Sequence, residues 1–197
     1  MPYREYWHKK GAKELSKSFG FLTLGEIELL DQLVKTLPKD PLIINLGAGV
    51  GTSAMTILEA RDDAFVVTVD KQCEEHPLGS LQNEQYIIRA AKWLHRRAGI
   101  CSESATAGKN WWHYKEESWW RRKADMIIHD ATHEYDPITA EIKAWLPRVR
   151  AKGIIVAHDY SENDFGEVIA VVDELLRPEF KYVDLVDTLI AFRKEKL

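Results

Sequence analysis

The chain has 197 residues, enough for one domain with a sizeable core. With 45% apolar and 29% charged residues and a net charge of −4, it offers no bulk electrostatic reason to bind nucleic acid or an anionic membrane. No apolar run is long enough to span a bilayer, the polar N-terminus is no secretory signal, and Cys73 and Cys101 have neither metal nor redox spacing, so a reduced, cytoplasmic protein is the simplest expectation.

In chain order, residues 1–22 read as an N-terminal segment: a lid, a dimer arm or a disordered leader. Residues 23–197 read as the domain proper. Thr23–Leu37 places Leu24, Ile27, Leu30, Val34 and Leu37 on one side of a helix. Leu42–Leu46 is the first strand and runs into Gly47-Ala-Gly49-Val-Gly51-Thr-Ser53, a glycine-rich turn that opens the helix ending near Ala60. Phe65–Val69 is the second strand and ends at Asp70. Ser80 caps a helix carrying Ile87, Ala91 and Leu94. Gly99–Ser102 is a weak third strand, and Ala105–Glu117 reads as helical. Asp125–His129 is the fourth strand and ends at Asp130. Asp136-Pro137 marks the next helix start, followed by Ile138, Ile142, Trp145, Leu146 and Val149. Gly153–Ala157 is the fifth strand and ends at His158-Asp159. Asp164-x-x-Glu167 reads as a capping box, with Phe165, Val168, Ile169, Val172, Leu175 and Leu176 as the apolar face behind it. Phe180–Val186 and Thr188–Phe192 are too close in sequence for a parallel crossover and read as an antiparallel hairpin.

The alternation predicts an α/β, Rossmann-like, mostly parallel seven-stranded sheet with helices on both faces and an antiparallel C-terminal hairpin. In such sheets ligands sit beyond the carboxyl ends of the strands. The polar residues ending the runs are therefore the candidates: Asn45 with the glycine loop, Asp70, Glu103 and Ser104, Asp130 and His133, and His158 with Asp159. The glycine spacing is Gly-x-Gly-x-Gly. A dinucleotide fingerprint would place its third glycine where Thr52 stands, so a pyrophosphate cofactor is disfavoured. Asp130 and Asp159 are also the residue type that closes turns after strands, and His158 taken alone reads as structural. Arg96-Arg97 and Arg121-Arg-Lys123 read as solvated faces. The pairs Trp111-Trp112 and Trp119-Trp120 read as core or subunit packing, compatible with a homodimer.

Together Asn45-Leu-Gly-Ala-Gly-Val-Gly51, Val69-Asp70, Glu103-Ser104, His129-Asp-Ala-Thr-His-Glu-Tyr135 and Lys152-Gly-Ile-Ile-Val-Ala-His-Asp-Tyr160 resemble the class I S-adenosylmethionine-dependent methyltransferases. The resemblance is nearest to the macrolide-sugar and cephalosporin-hydroxylase-like small-molecule O-methyltransferases. It implies S-adenosyl-L-methionine held by Asn45, Gly47, Ala48, Gly49, Gly51, Thr52, Ser53, Asp70, Lys71, Glu103, Ser104 and Asp130. Asp70 would accept hydrogen bonds from the ribose hydroxyls. It also implies a strand order 3-2-1-4-5 with the hairpin beside strand five, His133 as general base beside Asp130, and Mg²⁺ or another divalent cation at Asp130, His158 and Asp159. Two positions depart from the family. Asn45 stands where Glu or Asp is usual, and His158 stands where metal-binding relatives carry a carboxylate, which shifts the donor set toward Mn²⁺ or Zn²⁺.

The expected activity is therefore methylation of a small-molecule acceptor. One competing reading is a protein that binds the cofactor without transfer. Another is a nucleic-acid methyltransferase, disfavoured because Asp130-Ala-Thr-His133 replaces the Asn/Asp-Pro-Pro-aromatic loop that holds a flipped base.

Overall fold

The computed structural model describes residues 11–19, 21–109, 117–163 and 165–195. The elements are α1 (Ala12–Phe19), α2 (Leu24–Lys35), β1 (Leu42–Leu46), α3 (Thr52–Ala60), β2 (Phe65–Asp70), α4 (Leu81–Ala90), β3 (Arg97–Cys101) and α5 (Ser104–Lys109). They continue with β4 (Ala124–His129), α6 (Tyr135–Trp145), β5 (Val149–Ala157), α7 (Gly166–Leu175), β6 (Phe180–Val186) and β7 (Leu189–Lys194).

One seven-stranded sheet runs β3-β2-β1-β4-β5-β7-β6. The first five strands are parallel, and β7 joins β5 and β6 antiparallel. Strand periodicity divides the core into two layers. Ile43, Val66, Met126, Ile128 and Val156 face α1–α4. Leu42, Ile44, Val67, Ile127 and Ile155 face α5–α7 across the other side. Side chains buried this completely each contribute about 1.5–3 kcal/mol of hydrophobic stabilisation, which is why the central strands read as continuous apolar runs.

Helix starts follow local chemistry. Thr23 caps α2 in a full capping box with Glu26, and the Ser80 hydroxyl accepts from Asn83 N at 3.1 Å to start α4. At α7 the N-cap position falls on Phe165, and Glu167 turns away to accept from Tyr135 N at 2.6 Å; Asp164 lies outside the described residues. α6 begins at Tyr135, ahead of the Asp136-Pro137 start.

Several expectations are corrected. Part of residues 1–22 is an ordinary core element: α1 buries Ala12 and Leu15 against the α2–α3 layer. Tyr3–Lys10 lies outside the described residues, as do Trp111 and Trp112. Of the helix expected over 105–117, Ser104–Lys109 is helical, residues 110–116 lie outside the described residues, and Glu117 sits in a bend. Arg96 and Arg97 are not solvated. Arg96 is 7% exposed and donates to the carbonyls of Leu58 (3.0 Å) and Arg61 (2.6 Å), closing the C-terminal end of α3. Arg97 pairs at 2.7 Å with Glu84, whose carboxyl is fully buried and raised by desolvation. Cys73 and Cys101 are joined in a disulfide with their Cα atoms 5.5 Å apart, instead of remaining free thiols. Sequence spacing could not show this, because the pairing depends on the β2–β3 register that sets Asp70 beside Cys101.

Candidate functional site

The order of the sheet puts its switch point between β1 and β4. Backbone bonds extend the ladders just past the strand ends: Gly47 N to Val69 O at 2.9 Å, Asp130 N to Leu46 O at 2.9 Å and His158 N to His129 O at 3.0 Å. The loops after β1, β2, β3, β4 and β5 therefore leave the sheet at one level. They enclose a cavity of about 690 Å³.

One wall is the glycine loop. Gly47 has φ +94°, and a Cβ there would lie 1.8 Å from the Asp130 carbonyl oxygen, so only glycine fits between β1 and the loop after β4. A Cβ on Gly49, by contrast, would meet nothing within 4 Å, because the backbone there faces open space. Asp70 ties two loops together: its Oδ2 accepts from Ala48 N at 2.7 Å and its Oδ1 from Gln72 N at 2.6 Å. The segment after β2 folds back over the first wall, with Ser80 N donating to Gly49 O at 2.9 Å.

Gly47, Ala48, Gly49, Thr52, Ser53, Asp70, Lys71, Glu103, Ser104 and Asp130 all line this cavity. Asn45 and Gly51 do not. Asn45 is fully buried beneath the loop, donating from Nδ2 to Gly47 O at 2.8 Å, while its Oδ1 has no hydrogen-bond partner. Gly51 sits at the N-cap of α3, backed by Glu84.

The opposite wall holds Asp130, His133, His158 and Asp159. His133 Nε2 lies 2.7 Å from Asp159 Oδ2, and its ring packs against Phe165 with centroids 4.4 Å apart. The hydrogen bond to Asp159 raises the His133 pKa above its ordinary value, against partial desolvation. Burial alone would raise Asp159, but His133 and His158 outweigh it and hold its carboxyl well below the usual carboxylate range. His158 is enclosed by three acids. Its Nε2 lies 3.3 Å from Glu26 Oε2, and its Nδ1 lies 3.3 Å from Asp130 Oδ1 and 3.2 Å from Asp159 Oδ2, off line for a good hydrogen bond to either. Burial disfavours charge on this ring, yet the three carboxylates prevail and push its pKa up to about 12.

An imidazolium with both nitrogens facing acids is a poor metal ligand. The donor atoms that do converge belong to Asp130, His133 and Asp159, which offer ligand atoms within 4.8 Å of one another. Two carboxylates and one imidazole suit a divalent cation by donor type.

The sequence reading missed four contributors. Glu141 lines the cavity and binds His129 Nε2 at 2.7 Å; its signal was a carboxylate on the buried stripe of α6 between Ile138 and Ile142. Phe165 packs against the core as expected, and it also lines the cavity, with its ring tilted against that of His133. Phe21 and Leu78 form part of the cavity lining, and both are exposed.

Residues 44–160 match the family described as a methyltransferase domain. The chain belongs to that family. It is an S-adenosylmethionine-dependent methyltransferase with the class I fold. No curated protein matches the sequence. Among solved structures, it is similar to a Staphylococcus aureus protein inferred to be a caffeoyl-CoA O-methyltransferase (15% identity, 95% of this chain and 93% of that one, TM-score 0.69). A Klebsiella pneumoniae protein inferred to be an O-methyltransferase is comparable (14% identity, 100% and 91%, TM-score 0.67). MycE, a methyltransferase of the mycinamycin biosynthetic pathway crystallised with Mg and SAH, shares 13% identity over 96% of this chain and 56% of its own, with a TM-score of 0.66. At these identities the likeness is one of fold. Among the described residues no helix is long and apolar enough to cross a membrane.

Proposed function

We propose that the protein methylates a hydroxyl oxygen of a small molecule, with His133 as general base. The observation that carries this reading is a single cavity with a glycine loop and Asp70 on one wall and the Asp130–His133–Asp159 group on the other. S-Adenosylmethionine supplies an electrophilic methyl group on a sulfonium when bound. On this reading Gly47, Ala48 and Gly49 pass its methionine portion, Asp70 and Lys71 take the ribose, and Glu103 and Ser104 flank the adenine. Asn45 holds the loop in shape from below.

A neutral hydroxyl is a poor nucleophile until its proton is drawn away. With Nε2–H of His133 donated to Asp159, the lone pair sits on Nδ1, and that atom takes the acceptor's proton. Asp130 and Asp159 would hold a divalent cation such as Mg²⁺, which would lower the acceptor's pKa. Glu103, Glu134 and Asp159 along the cavity, against Lys71 as its one lysine or arginine among the described residues, favour a neutral small molecule over a polynucleotide.

Isothermal titration with S-adenosylmethionine, followed by a tritiated-methyl transfer screen over phenols, sugars and nucleotides with and without EDTA, tests this. Binding and transfer to an oxygen acceptor, lost in His133→Ala, is the expected result. Failure to bind S-adenosylmethionine, or transfer that survives His133→Ala intact, rejects the reading.

A further inference from the structure

Glu26 lies far from the strand ends in sequence, on the first turn of α2, and is 1% exposed. A capping glutamate usually answers one backbone N–H at the helix start. This one does more. Its Oε2 accepts from Thr23 N at 2.7 Å and lies 3.3 Å from His158 Nε2. Its Oε1 accepts from Thr188 N at 2.9 Å and from Thr188 Oγ1 at 2.7 Å, in the turn between β6 and β7. Four contacts use all four lone-pair directions of the carboxylate. A carboxylate so deeply buried is retained only where a partner balances it. Among the described residues its ion pair is with His158.

His158 passes the constraint on. Its other nitrogen sits between Asp130 and Asp159, and Asp159 in turn holds His133. Asp159 occupies a left-handed backbone conformation (φ +61°) that a non-glycine residue adopts at some cost. Its orientation therefore needs support from its surroundings. Both Glu26 and Thr188 fall outside residues 44–160, the stretch that defines the family.

We propose that Glu26 is a positioning residue for methyl transfer: anchored by Thr23 and Thr188, it fixes the His158 ring between Asp130 and Asp159 and so sets how Asp159 presents its carboxylate to His133. The proposal rests on His133 serving as the base. It adds a line of support that begins in α2 and reaches the reacting group through two side chains.

Glu26→Gln keeps the size of the side chain and one acceptor oxygen, but its amide nitrogen cannot accept from Thr23 N or from the His158 ring. The probe is the protein alone, uniformly labelled at histidine nitrogen, with the ring resonances of His133 read by NMR. Glu26→Gln shifts them, and His158→Gln, which leaves the Thr23 and Thr188 contacts to Glu26 in place, shifts them too. The double variant adds nothing to either. Thr36→Val, which removes a hydroxyl bond to Leu33 O at the other end of α2, leaves them where they are. With an acceptor in hand, Glu26→Gln lowers kcat about tenfold with a smaller change in KM. Unchanged His133 resonances in Glu26→Gln overturn the proposal, as does an equal shift in Thr36→Val. If Glu26→Gln does not fold, unchanged resonances in His158→Gln overturn it instead. Titration with S-adenosylmethionine separates the two levels. A wild-type protein that fails to bind ends the methyltransferase reading, whereas binding with unmoved His133 resonances ends only the role given to Glu26.

Discussion

Asp159 Oδ2 lies 2.7 Å from His133 Nε2, joining the loops that follow two neighbouring parallel strands, β4 and β5. That contact orients the ring and also sets its charge. Asp159 raises the His133 pKa, Asp130 adds to the effect and His158 opposes it. A base must be neutral to accept a proton, and a raised pKa keeps the ring protonated to higher pH. The acidic limb of kcat/KM should therefore fall above pH 6.5, the ordinary value for histidine, with activity rising as pH climbs through it. Asp159→Asn removes the main cause and moves the limb toward lower pH while reducing the maximum rate. His133→Ala lowers the rate by about 10²–10⁴-fold. A pH–rate profile of the three proteins checks this, and a limb unmoved by Asp159→Asn counts against His133 as the group it reports.

The two wall glycines should respond differently to the same change. At Gly47 an alanine Cβ would sit 1.8 Å from the Asp130 carbonyl oxygen, a backbone atom that cannot swing aside. Gly47→Ala should separate β1 from the loop after β4 and give protein that is poorly folded or insoluble. At Gly49 nothing lies within 4 Å, so the cost of Gly49→Ala is mainly its φ of +49°, about 1–2 kcal/mol. That variant should fold, melt a few degrees lower and, on the proposed reading, bind S-adenosylmethionine more weakly, because the added methyl enters the cavity. Circular dichroism and isothermal titration on the pair distinguish the two outcomes.

The elements that repeat a simple period were legible in the sequence. Strands such as Leu42–Leu46 and Phe180–Val186 match residue for residue; strand–helix alternation points to parallel pairing, while the strand order came from the family resemblance. Residues that end strands were legible as a group because the topology sends all those ends to one rim. Side chains whose role depends on a partner from elsewhere in the fold were not. Arg96 is charged, yet it is spent on carbonyls 35 and 38 residues away. Glu26 drew no notice in the sequence, because its reach to Thr188 and His158 spans 162 and 132 positions. Phe165 fits its apolar stripe and packs against the core, but the stripe could not show that it also lines the cavity.

The Cys73–Cys101 disulfide should matter to both stability and cofactor binding. It fastens the start of the 71–80 loop to the end of β3, and Lys71 and Gly79 of that loop line the cavity. Closing a loop with a sequence separation of 28 contributes about 3–4 kcal/mol in the chain-entropy account. Protein treated with dithiothreitol, or the double variant Cys73→Ser/Cys101→Ser, should melt at lower temperature and bind S-adenosylmethionine more weakly. Thiol titration of the denatured, unreduced protein should find no free sulfhydryl. Two titratable thiols in freshly purified protein would show that the link does not form.

Asp70 carries two loads that one substitution can separate. Its oxygens accept from Ala48 N and Gln72 N, which fixes the glycine loop against the turn after β2. On the proposed reading it also accepts from the ribose hydroxyls. Asp70→Asn keeps the shape but leaves one accepting oxygen and no charge. One of the two backbone N–H groups then loses its partner, at about 1–3 kcal/mol of stability. Hydrogen bonds to a charged group are worth about 1.5–3 kcal/mol, so losing the ribose contacts should weaken binding of S-adenosylmethionine at least tenfold. Asp70→Ser offers a single small hydroxyl and should cost more on both counts. Thermal melts and calorimetric titrations, run together on each variant, separate the loads. A variant that melts lower yet binds S-adenosylmethionine and S-adenosylhomocysteine with wild-type affinity would confine Asp70 to the turn.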